Sequence, residues 1–221
     1  MKESTVIGDV FKIGKSTWKL NYKLWLAKVP SKNFLICLHG SGEVGPADGS
    51  RISLVQKYGI PNLAANGFEF DYNIIAFQVE TNYTQLVKCA PQFVMAKFGA
   101  EKIGCTGLSL GGIATDALLL KPGASLLNFV APVCGKVSPP WYMSISAYAA
   151  TFPEIPIQAW HGDKDKTVSF TTDKKFIEAY NASHIHQVDF RVLPGMGHNI
   201  WDVAYATNSD LLKWINLQFS L

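Results

Sequence analysis

Lys102-Ile103-Gly104-Cys105-Thr106-Gly107-Leu108-Ser109-Leu110-Gly111-Gly112 is the stretch whose reading decides how this chain folds. It carries the pattern G-x-S-x-G at Gly107, Ser109 and Gly111, which describes a strand turning sharply into a helix with the serine strained at the apex. Glycines flank the serine because a side chain at either place would collide with the neighbouring strand or helix. Ile103 and Cys105 suit a short buried strand, although Gly104 breaks the alternation. Ile113 to Leu120 then reads as a helix that Pro122 and Gly123 stop. An ordinary Gly-rich turn with a solvated serine would share this pattern, so the rest of the chain has to decide.

Outward from that stretch, apolar strand-like runs alternate with helical ones. Asn33–Leu38 and Asn73–Val79 precede it; Leu126–Cys134, Ile155–Trp160 and Val188–Leu193 follow. Helices are expected over 52–66, 84–98, 169–182, 201–206 and 210–219, the first two interrupted at Pro61 and Pro91. Val6–Ile13 and Thr17–Ala27 read as an antiparallel pair joined at Gly14-Lys15-Ser16. In the second of these, Trp18, Leu20, Tyr22, Leu24 and Leu26 would face the core and Lys19, Asn21 and Lys23 would face water. Lys136 to Pro153 reads as a loop rich in Pro, Trp and Tyr. The fold class is α/β, with a mainly parallel central sheet covered by helices on both faces. With no repeat, linker or low-complexity segment, residues 1–221 are expected to form one domain.

Composition narrows the function. An apolar share of 48% and a charged share of 17% describe a packed globular protein. A net charge of +3 without a basic cluster gives nucleic-acid binding no support. Met1 to Asp9 lacks the apolar segment of a signal peptide, and no apolar run approaches the length of a membrane-spanning helix. A cytoplasmic protein is therefore the default expectation. Cys37, Cys89, Cys105 and Cys134 show no C-x-x-C spacing, so no metal is expected and free buried thiols are favoured.

The polar residues gather where an α/β sheet binds ligands, beyond the carboxyl ends of its strands. His39, Ser109, Asp165 and His198 each follow a predicted strand. Serine is a weak nucleophile at neutral pH and needs an adjacent base, which in turn needs a third group to orient it. The order Ser109, an aspartate, then His198 is the order this fold uses. Asp163 and Asp165 share one loop, and the residues alone barely separate them. His161 suits a structural role at a strand end, His184 and His186 a solvated turn, and Asp173 an exposed helix face. Acyl transfer also needs donors for the developing oxyanion. Leu110 N–H at a helix start and Ser41 N–H in His39-Gly40-Ser41-Gly42 fit that need.

Those blocks resemble the α/β-hydrolase superfamily, and within it the small capless serine esterases. These comprise the phospholipase/carboxylesterase and dienelactone-hydrolase-like group, with the predicted peptidase and feruloyl-esterase-like group. Leu38-His39-Gly40-Ser41-Gly42-Glu43, Thr106–Gly112, Trp160-His161-Gly162-Asp163-Lys164-Asp165 and Gly197-His198-Asn199-Ile200-Trp201-Asp202 carry the resemblance. Its H-G-x-x-D block places the acid on Asp165. Val44 departs from the arginine common in relatives, and Lys136 interrupts their glycine run. The resemblance implies ester hydrolysis through an acyl-enzyme without a cofactor: Ser109 attacks, His198 moves the proton and Asp165 orients it. A serine peptidase on the same triad and a non-catalytic binding module are the alternatives. His39, Glu43, Trp141 and Trp201 are read as substrate-facing, with Pro139, Pro140, Trp141 and Tyr142 forming an aromatic rim that Trp201 could adjoin.

Overall fold

In the computed structural model, which describes residues 1–221, eight strands form one sheet. They are β1 (Lys2–Ile13), β2 (Ser16–Leu26), β3 (Asn33–Leu38), β4 (Asn73–Gln78), β5 (Lys102–Leu108), β6 (Phe129–Val133), β7 (Gln158–Gly162) and β8 (Asp189–Leu193). Their order across the sheet is β1-β2-β4-β3-β5-β6-β7-β8. β1 pairs antiparallel with β2, as β2 does with β4, and the remaining pairs are parallel. Seven α-helices are α1 (Gly59–Ala65), α2 (Ala90–Phe98), α3 (Leu110–Leu118), α4 (Ile145–Ala149), α5 (Phe170–Ser183), α6 (Trp201–Ala204) and α7 (Asp210–Ser220). No helix is long and apolar enough to cross a membrane.

The inner strands are apolar without interruption because both faces are covered. In β3, Ile36 joins Phe77, Phe93, Val94 and Leu118 on one face, while its neighbour Leu35 joins Ile60, Phe129, Leu211 and Ile215 on the other. Burying a side chain of this size is worth about 1.5–3 kcal/mol, so these two layers dominate the stability. Gly104, which breaks the alternation of β5, has a packing cause: a Cβ there would lie 2.2 Å from the Phe129 ring. Serines 144, 169 and 209 start α4, α5 and α7, each accepting the backbone N–H three residues on.

Several expectations need correction. β2 has no wet face over Asn21 and Lys23, the latter being 6% exposed. The 45–56 segment covers them: Asn21 donates to Ala47 O at 3.0 Å and Lys23 reaches Gln56. The 52–66 helix breaks before Pro61, at Gly59, whose φ is +68°. The 84–98 helix is interrupted as expected, though at Cys89. A short 3-10 turn over Leu86–Lys88 ends there and α2 starts at Ala90, with Pro91 in its first turn, where its missing N–H costs no bond. The 136–153 loop contains α4, too short for its periodicity to show. His184 is half-buried, stacked on Tyr180 and hydrogen-bonded to Phe152 O at 2.9 Å, rather than solvated. The cysteines are free and buried, as expected.

Candidate active site

β5 ends at Leu108 and α3 begins at Leu110, leaving Ser109 alone to reverse the chain. It takes φ 55° and ψ −116°, a conformation that costs a non-glycine residue about 1–3 kcal/mol and survives only where its surroundings impose it. Here Ser109 N–H donates to Val133 O at 2.9 Å, while Ser109 O accepts from Ile113 N–H at 3.0 Å. The flanking glycines admit no side chain. A Cβ at Gly107 would stand 2.4 Å from Gly111 O, and one at Gly111 only 2.0 Å from Leu38 O. The G-x-S-x-G pattern is thus the imprint of β3, β5 and α3 packed backbone to backbone.

Asp165 and His198 ride on the loops after β7 and β8. Lys164 N–H donates to Met196 O at 2.9 Å, and a Cβ at Gly162 would lie 2.3 Å from Gly197 O. With the loops locked together, His198 Nε2 stands 2.8 Å from Ser109 Oγ and His198 Nδ1 stands 2.7 Å from Asp165 Oδ2. Asp165 Oδ1 accepts Thr167 N–H at 2.8 Å and Val168 N–H at 2.9 Å. Burial alone would raise the Asp165 carboxyl, but the His198 bond and these donors outweigh it and leave it lowered. An ionised Asp165 holds the proton on His198 Nδ1 and leaves Nε2 to accept from the Ser109 hydroxyl. Asp163 does different work. Its carboxylate accepts Gly195 N–H at 2.7 Å and fastens the turn before His198.

The turn after β3 forms the opposite wall. A Cβ on Gly40 would come within 3.7 Å of Ser109 Cβ, so this turn lies against Ser109. The backbone N–H groups of Ser41 and Leu110 make no backbone hydrogen bond, which leaves both free to donate. His39 does not face a substrate. It is buried, its Nδ1–H donates to Gly40 O at 2.7 Å, and its Nε2 accepts Val79 N–H at 3.2 Å. Burial pulls its pKa down to about 4. Glu43 is buried in the same turn, with Oε2 3.0 Å from the place a Gly40 Cβ would occupy, and burial raises its carboxyl despite Lys57.

Behind Asp165 lies a cluster whose partners the sequence did not disclose. His161 Nδ1 is 2.8 Å from Asp173 Oδ2, and His161 Nε2 is 3.2 Å from both Asp165 Oδ2 and Val168 O. Asp173, expected on an exposed helix face, is 5% exposed. Asp116 of α3 is buried as well, its Oδ2 without a partner, and burial followed by the neighbouring Asp173 holds its carboxyl well above the usual range. An aspartate five residues past the last glycine of the G-x-S-x-G turn is the one sequence signal that points to it.

Trp141 and Trp201 are not brought together. Trp141 is 96% exposed and packs edge-on against Tyr142, while Trp201 meets His198 edge-on at 5.4 Å and Tyr58 at 5.7 Å. Sγ of Cys134 and ligand atoms of His161 and Asp165 lie within 4.8 Å of one another. Each is already hydrogen-bonded, Cys134 Sγ to His198 O at 3.2 Å, and burial pushes that thiol up to about 12. Such a trio suits hydrogen bonding better than a divalent cation.

A profile of the phospholipase/carboxylesterase family matches residues 67–216. The fold is shared with a thermostable esterase at TM-score 0.68 and 17% identity, over 99% of this chain and 62% of that one. A truncated carbohydrate esterase from gut microbiota gives 0.62 and 18%, over 91% of each chain. An acylaminoacyl peptidase from Pyrococcus horikoshii gives 0.58 and 12%, over 100% of this chain and 41% of that one. This chain thus spans less than two thirds of the thermostable esterase and under half of the peptidase. No curated protein matches. The profile covers well over half of the chain and includes the elbow, the Asp165 loop and the His198 loop, so the chain belongs to the phospholipase/carboxylesterase family, a family of ester hydrolases built on the α/β-hydrolase fold.

Proposed function

We propose that this protein is a serine esterase that cleaves carboxylic esters through an acyl-enzyme. One observation carries the reading: His198 bridges Ser109 Oγ at 2.8 Å and Asp165 Oδ2 at 2.7 Å. Ser109 Oγ attacks the acyl carbon as its proton passes to His198 Nε2. Asp165 stabilises the imidazolium that forms. The oxyanion sits between Leu110 N–H, at the start of α3, and Ser41 N–H. His198 then returns the proton to the leaving alcohol, and water repeats the sequence to release the acid. Nucleophile, base, acid and donors all come from the chain, so the reaction needs no cofactor.

Substrates are short acyl esters, or acyl groups carried on a sugar or polymer. Ser109 is half-exposed, which favours an open cleft over a lipid tunnel. Esters of C2–C4 acids should turn over better than those of C12–C16 acids, with no jump at the substrate's solubility limit. Ser109→Ala is expected to lower ester turnover by about 10⁴-fold or more, and a fluorophosphonate should label Ser109 alone. Near-normal turnover in the alanine variant would refute the assignment. Amide turnover exceeding ester turnover would move the protein to the peptidases on the same residues.

A further inference from the structure

His161 is buried and takes no part in proton transfer to Ser109, yet both its nitrogens are committed. Nε2 faces two acceptors, Asp165 Oδ2 and Val168 O, each at 3.2 Å. A carbonyl donates nothing, and Asp165 already accepts three N–H groups as a carboxylate. Nε2 must therefore carry the proton. At Nδ1, 2.8 Å from Asp173 Oδ2, a single proton lies between two acceptors. If Nδ1 holds it, the pair is imidazolium and carboxylate; if Asp173 holds it, both partners are neutral. Either way the pair is neutral in sum and Nε2–H points at Asp165.

We propose that His161 is a positioning residue for the triad: oriented by Asp173, it gives Asp165 a fourth hydrogen bond and thereby sets the basicity of His198. The inference rests on the serine-esterase reading. The groups facing His161 come from every element around it. They are Asp165 after β7, Asp173 on α5, Asp116 on α3 behind Asp173, and the Cys134 thiol after β6. Burial lowers His161, but the bond and charge of Asp173 outweigh it and leave its pKa raised. Burial raises Asp173, in spite of His161. The proton between them is thus held firmly. A fourth N–H drains charge from the Asp165 carboxylate, so removing it strengthens the pull of Asp165 on an imidazolium. His198 would then keep its proton to higher pH, and the acid limb of kcat/KM would move up. Both placements of the shared proton give this sign.

The test compares wild type with His161→Phe and His161→Gln. Phenylalanine keeps a ring against Phe170, which meets His161 edge-on at 5.7 Å, but offers no donor. Glutamine loses the ring and keeps an N–H of similar reach. The expected result is an acid limb raised by about one pH unit in the Phe variant, with kcat lowered about 10- to 100-fold, the scale on which outer partners of metal-bound histidines act. Glutamine should restore the limb. A packing role predicts the reverse ranking, and a Phe variant at least as active as Gln with its limb unmoved overturns the proposal. Fluorophosphonate labelling of wild-type Ser109 separates the two failures. No labelling sinks the esterase reading, whereas labelling with an unmoved limb sinks only the role of His161. Should both variants fail to fold, ¹⁵N spectra of the wild-type ring decide. Nε2 is expected to stay protonated from about pH 5 to 8, across the range where a free histidine titrates, and an unprotonated Nε2 there overturns the inference.

Discussion

On the β3 side of Ser109 a buried histidine hydrogen-bonds through its ring only to backbone, while on the β7 side another faces two carboxylates. His39 lies between Gly40 O and Val79 N–H, and burial drives its pKa down to about 4. His161 is equally hidden, yet Asp173 and Asp165 leave its pKa raised. Burial acts in the same direction on both imidazoles, and neighbouring charge decides the outcome. One wall can hold a neutral turn of backbone donors while the other keeps an anion and a mobile proton. Acyl transfer needs both, since the oxyanion requires donors that carry no proton traffic and the base requires a fixed negative partner.

The strongest way to break this contrast is on the charged wall. Asp165→Asn should reduce kcat by about 10⁴-fold, because the favoured imidazole tautomer is lost. Asp163→Asn should cost far less activity, since its carboxylate accepts Gly195 N–H and does not meet His198. Steady-state kinetics on the two variants decide, and reversed effects would exchange their roles. On the neutral wall, His39→Phe should lower stability by about 1–3 kcal/mol at pH 7, the cost of leaving the half-buried Val79 N–H unpaired. That difference should shrink in acid. A histidine depressed to about 4 in the fold stabilises fully above its unfolded value of about 6.5. Its contribution is then lost as pH falls towards 4, because the unfolded chain takes the proton first. Denaturant melts at several pH values measure both effects.

Smaller effects sharpen the comparison. Asp116 is raised well above the usual carboxylate range by burial and then by Asp173. The fold binds a proton there that the unfolded chain releases above about pH 3.9, so this carboxyl opposes folding at neutral pH. Asp116→Asn should raise Tm by about 2–4 °C at pH 7, as a gain near 1 kcal/mol does in a chain of this size, and the gain should vanish as pH approaches 4. A constant gain across that range would point to a cause other than ionisation. The smallest effect is expected from Trp141→Ala, within about 0.5 kcal/mol in stability, because the side chain is 96% exposed; a change in KM for aromatic or sugar-linked esters would place Trp141 at the substrate.

How far the sequence disclosed all this depends on the kind of interaction. The parallel strands were legible because burial on both faces leaves an unbroken apolar run, and β3 fell at Asn33–Leu38 as expected. The elbow was legible because backbone packing at Gly107 and Gly111 excludes every side chain. Asp173 was not, since an acidic residue on a helix is usually solvated and only a histidine twelve residues earlier gives it a reason to be buried. Lys23 misled in the same way, its alternation pointing to water that the 45–56 segment displaces. The choice between Asp163 and Asp165 depended on which loop oxygen reaches His198, a distance no spacing in the chain encodes.

The strained backbone at Ser109 has a consequence for anyone who evolves this protein in the laboratory. A residue at φ 55° and ψ −116° holds strain worth about 1–3 kcal/mol, and glycine would release it. A screen that rewards heat resistance alone therefore favours replacing Ser109. On the proposed serine-esterase reading, selection for robustness and selection for turnover pull in opposite directions at this single codon, so a library of this protein has to be scored on activity at every round.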